Sequence, residues 1–231
     1  MALEFSNGGE AVRCGTATDL DGFFGTAMWW MDMNTLGGNS EGRVLSRVDS
    51  NEVGGAWTLA MNASSRLVVY SEYTVGNGIW VSPVNSLQVG NWYHVAVVWD
   101  RENAGSDVPL VYIDGASVTV SALLSPSGTV LSDAGKELII GDRFDDLAGG
   151  NVGFDGRIAD MRMYTDLMPA DRIASIYAAQ GTDRDVTSLL RRWPMQSANA
   201  PGKDYSDAQD NGILTTPSSP LIADDRLTIR G

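Results

Sequence analysis

The chain has 231 residues, 29 acidic against 16 basic side chains, a formal net charge of −13 and 26 glycines. That length holds one large β domain or two small ones, and the acidic balance repels nucleic-acid phosphates and anionic lipid headgroups. No apolar run is long enough to span a bilayer, so neither nucleic acid nor membrane is an expected partner.

The opening, MALEFSNGGEAV, has neither the basic nor the apolar region of a secretory signal, and Cys14, the only cysteine, excludes an internal disulfide. Both features fit folding in a reducing cytoplasm. Along the chain, alternation and turn residues then predict a long series of short strands. GTAMWWMDM (residues 25–33) reads as a central strand, followed by RVLSRVD, AWTLAMN, RLVVYSEY and GIWVS between Gly, Asn and Ser clusters. In NWYHVAVVWD (91–100), Trp92, His94, Ala96 and Val98 fall on one face of an extended chain and Tyr93, Val95, Val97 and Trp99 on the other. Both faces are apolar, so both need cover. A second sheet covers only one of them, and a loop, the C-terminal segment, another subunit or a ligand must cover the other.

PLVYIDGASVTV (109–120) is a hairpin by its own chemistry, because Asp114-Gly115 tolerates the positive φ of a tight turn. KELIIG and FDGRIADMRMY complete the series. One helix is predicted over 169–180, with Pro169 at its first position, Gly181 just past its end and an apolar stripe of Ile173, Ile176 and Tyr177. A single short helix among many strands is a packing element. The last part, from Ala198, is rich in Pro, Asp, Asn and Ser and is expected to wrap the surface with few strands of its own.

NWYHVAVVWD, LVYIDGASV, ELIIGD and FDGRIADMRMYTDLMPADRIASIY, in that order, resemble the laminin-G-like, or concanavalin-A-like, jelly-roll superfamily of lectins and glucanases. The resemblance covers residues 3–180 and implies an all-β, antiparallel two-sheet sandwich with one short helix. LLRRWPM (189–195) and KDYSDAQDNGIL (203–214) look like the segments that open the domain in many members, yet here they follow the helix. Either the strand order is permuted or a truncated neighbouring domain is present. The permuted reading is preferred, since sandwich termini lie close together. The expected organisation is a sandwich over 1–197, with a late strand at 189–195, and a C-terminal surface segment or intersubunit arm over 198–231.

The chemistry legible in the residues is sparse. His94 is the only histidine and has no Gly-x-Ser-x-Gly elbow to serve, so it is expected in the core with Trp92 and Trp99. The paired-carboxylate strand motif of the glucanases is absent, although carboxylates on separate strands remain open, and no enzymatic activity is expected. Cys14 is expected to be buried, with Arg13 the only nearby cation to activate it. A Ca²⁺ site is conceivable in the loop carrying Asp142, Asp145, Asp146, Asn151 and Asp155, since hard oxygen donors cluster there, although solvated acidic turns also account for them and for Asp204, Asp207 and Asp210. DLDG at 19–22 begins like an EF-hand loop but has Trp30 where the bidentate glutamate belongs. Trp57, Tyr70, Tyr73 and Trp80 are candidates for stacking against a sugar, although aromatics on strands are more often core.

Two functions remain in play. One is a structural protein of a virus particle, as a bacteriophage capsid decoration or tail-surface component, made in the host cytoplasm and partnered by itself as a homo-oligomer or by capsid or tail proteins. The other is an extracellular glycan-binding lectin module. Glycan cleavage is a distant third.

Overall fold

A computed structural model describes residues 2–6, 10–22, 24–48, 57–101, 108–142, 152–195 and 213–215. Among these the strands are β1 (Leu3–Ser6), β2 (Ala11–Arg13), β3 (Phe24–Met33), β4 (Glu41–Val48), β5 (Trp57–Asn62), β6 (Leu67–Ser71), β7 (Gly78–Val81), β8 (Trp92–Asp100), β9 (Leu110–Ile113), β10 (Ala116–Val118), β11 (Ser121–Leu124), β12 (Glu137–Ile140) and β13 (Asp155–Tyr164). The helix α1 (Ala170–Ala178) follows, then β14 (Leu189–Trp193) and β15 (Ile213–Thr215).

They form two antiparallel sheets. The first runs β1-β13-β3-β8-β9-β10, with β14 also paired to β13. The second runs β11-β7-β6-β5-β4-β12-β2-β15. The order is that of a jelly-roll sandwich, and the alternation of the sequence dictates which residues meet between the sheets. Trp29, Met31, Val95, Val97 and Trp99 from the first sheet join Trp57, Leu59, Met61, Leu67 and Val69 from the second in one buried core. Burial of this apolar surface is the principal stabilising term of the domain.

The second apolar face of β8 is covered by the helix. Ala96 and Val98 pack with Met28, Tyr112, Tyr164 and Met168 against Ile173 and Ile176 of α1. The hairpin turn is held to the same helix. Asp114 and Gly115 both have positive φ, and a Cβ added at Gly115 would lie 2.9 Å from the Tyr177 ring. The helix begins one residue later than the sequence implies, with Pro169 as its N-cap, whose carbonyl accepts the first helical bond from Ile173.

The two late segments enter this same sandwich. β1 pairs with residues 155–158 of β13 and β14 with residues 161–164 along the same edge, separated by a bulge at which Asp160 takes φ +49°. β15 pairs with β2 at the edge of the second sheet. Both of these strands therefore join the sandwich from the C-terminal side of the helix. Part of the segment expected as a surface arm is an edge strand of the sandwich, while 198–212 and 216–231 lie outside the described residues.

Candidate functional site

His94 lies between the sheet and the helix, its ring 5.1 Å from that of Trp30 and 5.9 Å from that of Tyr177. Burial, and secondarily the nearby Arg162 guanidinium, lowers its pKa to about 4, so it is neutral at neutral pH. Its backbone N–H donates to Asp114 Oδ1 at 2.9 Å, and its carbonyl accepts from the Asp114 N–H at 2.8 Å. These bonds tie the β9–β10 turn to β8. The His94 ring itself packs against Trp30 and Tyr177. Trp99 is buried in the inter-sheet core, and Trp92 is half-buried beneath the guanidinium of Arg157. Cys14 is buried, as expected, and Arg13, the one nearby cation in the sequence, is paired with Glu137.

Three of the four candidate stacking residues face inward. Trp57, Trp80 and Tyr73 are 0%, 2% and 5% exposed, and Trp80 packs edge-on against Trp99. They are wall and core, the role that strand aromatics more often have, and present no ring to a sugar at the surface. The physical reason is parity. On β5 and β6 the residues alternating with the outward set point between the sheets, and Trp57 and Val69 belong to the inward set.

Tyr70 belongs to the outward set and lines a depression of about 390 Å³ on the exposed face of the second sheet. Its floor is Ala60 of β5, Val68 of β6 and Ile79 of β7, and its polar lining is Glu41, Arg43, Thr58, Tyr70 and Glu72. Register brings these together: Thr58 lies opposite Tyr70, and Arg43 opposite Ala60 beside a bulge in β4. Arg43 reaches over β5 to donate from Nη1 to Thr58 Oγ1 at 2.9 Å, and its Nη2 lies 3.3 Å from Glu41 Oε1. Tyr70 donates its hydroxyl to Glu72 Oε1 at 3.1 Å and accepts from Asn77 Nδ2 at 2.9 Å. The result is an apolar floor ringed by oriented donors and acceptors, the kind of surface on which a polyhydroxylated ring is recognised. Sequence reasoning missed Glu41, Arg43, Thr58, Glu72 and Asn77. Outward parity on AWTLAMN and RLVVYSEY was the available signal, but only strand register joins them.

A second depression, about 500 Å³, lies on the opposite side between β8, β9 and the start of α1. Val98, Val108, Leu110, Tyr112, Leu167 and Met168 make it largely apolar, and Leu110 is 52% exposed.

Of the candidate calcium ligands, Asp142 is buried at the end of β12, and Asp155 accepts from Thr35 Oγ1 at 2.6 Å and from Asn34 Nδ2 at 3.3 Å. Asp145, Asp146 and Asn151 lie outside the described residues, as do Asp204, Asp207 and Asp210. Among the described residues no three acidic, histidine or cysteine side chains gather as a metal site.

This architecture, with a polar groove on one sheet, defines a lectin-type jelly roll. The chain belongs to the concanavalin A-like lectin/glucanases superfamily, whose pattern matches residues 7–174. None of the curated proteins matches it. Among solved structures it is similar to a native heptameric SAP-like pentraxin from Limulus polyphemus (14% identity, 92% of this chain and 97% of that one, TM-score 0.50). It is also similar to the Ruminococcus gnavus IT-sialidase CBM40 bound to α2,3-sialyllactose (13% identity, 76% and 96%, TM-score 0.57). A candidate carbohydrate-binding protein from Bacteroides ovatus is a further neighbour (16% identity, 96% and 61%, TM-score 0.58). At these identities the likeness is one of fold.

Proposed function

We propose that this protein is a non-enzymatic glycan-binding module whose site is the groove over β4 to β7. The observation that carries the reading is the groove itself, where Tyr70, fixed between Asn77 and Glu72, stands beside an apolar floor with Arg43, Thr58 and Glu41 along it. The R. gnavus domain of similar fold holds a sialylated sugar, and glycan binding by such folds supports the assignment without dictating the residues. Screening the chain on a glycan array tests it: selective binding, lost on Tyr70→Ala in a folded variant and without cleavage of the bound glycan, is expected. Absence of binding to every glycan overturns it.

A second, compatible reading concerns where the module works. We propose attachment to the surface of a virus particle, with an exported lectin as the alternative. The observation that favours a protein partner is the apolar depression with Leu110, Val108 and Leu167 exposed, since clustered exposed apolar side chains mark interaction surfaces. Capsid or tail genes beside the coding sequence would support this reading, and neighbours devoted to glycan import or breakdown would overturn it.

A further inference from the structure

We infer that the groove selects glycans by charge, preferring sugars with a free amino group over neutral ones and excluding those bearing a carboxylate. The inference rests on the reading of the groove as a glycan site and asks what class of glycan its lining admits.

Two carboxylates, Glu41 and Glu72, line the groove against one guanidinium, Arg43. Recognition of an acidic sugar needs a donor fork turned toward the ligand. Here the fork faces the protein. Arg43 Nη1 donates to Thr58 and Nη2 meets Glu41, and the Arg43 side chain is only 10% exposed. A ligand carboxylate would have to displace the like-charged Glu41 from that pair, and the two carboxylates repel.

Glu41 is arranged in the opposite sense. Its side chain is 47% exposed, so its carboxylate accepts from a ligand while still in contact with Arg43. A sugar hydroxyl satisfies it as a neutral donor, and an ammonium satisfies it with charge assistance. The net charge of −13 adds a long-range field of the same sign. The groove therefore differs in charge logic from what its sialyllactose-bound structural neighbour would suggest.

The test is equilibrium binding of the full chain to paired oligosaccharides on many backbones, each pair identical except for a free or an N-acetylated amine, with sialylated glycans alongside. At about pH 6 a sugar amine carries its charge. The expected result is roughly tenfold tighter binding of the free amine at low salt, a ratio that shrinks with salt and approaches one in Glu41→Gln. A melting temperature near that of the parent establishes that Glu41→Gln is folded. Sialylated glycans should stay unbound. If acidic glycans bind as tightly as neutral ones, the charge selection is wrong while the groove remains a glycan site. If no glycan of any class binds, the glycan-binding reading falls with it.

Discussion

Trp57 donates its indole N–H to Asp133 Oδ2 at 2.8 Å, tying the first residue of β5 to the turn that leads into β12. The same carboxylate lies 3.0 Å from Arg101 Nη1 and 3.5 Å from Arg47 Nε, and its other oxygen accepts from the Gly22 N–H at 2.7 Å. All three ionic side chains are buried, and burial pulls both arginines below their ordinary pKa while Asp133 pushes them back up.

Asp133→Ala should therefore be among the most damaging single substitutions. Removing the carboxylate takes the shared counter-charge from both guanidinium groups and leaves Arg47 its pair with Asp21, and breaking a buried ion pair of this kind costs about 3–5 kcal/mol. Urea unfolding checks this. A loss below about 1 kcal/mol would mean that the arginines find other partners and that Asp133 does not organise this end of the sandwich.

His94 makes stability depend on pH. Its pKa is about 4 in the folded state against 6.5 for the ordinary group, so the unfolded chain binds the extra proton between those values. The contribution is fully present above about pH 6.5 and is lost as pH falls through 4, and its full span is about 3 kcal/mol. His94→Gln should flatten that part of the stability-against-pH curve. Denaturant midpoints at several pH values across the window decide the matter, and an unchanged slope in the variant would assign the dependence to other groups.

Core and groove aromatics should separate cleanly. Trp80→Ala empties a filled position between the sheets and should cost about 3–5 kcal/mol. Tyr70→Ala removes a half-buried ring from the outer face and should leave the melting temperature nearly unchanged, while weakening glycan binding by roughly tenfold. Paired thermal melts and titrations measure both. Equal stability losses at the two positions would place Tyr70 in the scaffold.

What the sequence made legible follows from the range of the signal. Alternation in WYHVAVVWD revealed two apolar faces, and the Asp114-Gly115 pair revealed its turn, because both are local. The apolar stripe of α1 was equally visible. That this stripe covers the outer face of β8 was not, since the helix and β8 lie some seventy residues apart in the chain. The groove was hidden for the same reason. Glu41, Thr58 and Tyr70 are unremarkable on separate strands and become a site only through the register of β4, β5 and β6. Aromatic identity alone does not separate core from surface at Trp57, Tyr73 and Trp80, where large rings fill the space between the sheets.

Truncation after Met195 should test how the C-terminal strand serves the sandwich. β2 has three residues and pairs with β12 on one side and β15 on the other. Without β15 its outer N–H and C=O groups face water, and loss of a few net hydrogen bonds costs about 1–3 kcal/mol. The core residues on β3, β5, β8 and β13 all precede Met195 in the chain, so the truncated chain should stay folded with a lower denaturant midpoint. The bared edge is also a template for pairing with another chain, so self-association should rise with concentration. Size-exclusion chromatography with light scattering, run beside unfolding, reads both effects. A truncated chain that is monomeric and as stable as the parent would show that β15 is dispensable to the sandwich. One that fails to fold would place the C-terminal segment among the elements on which the core depends.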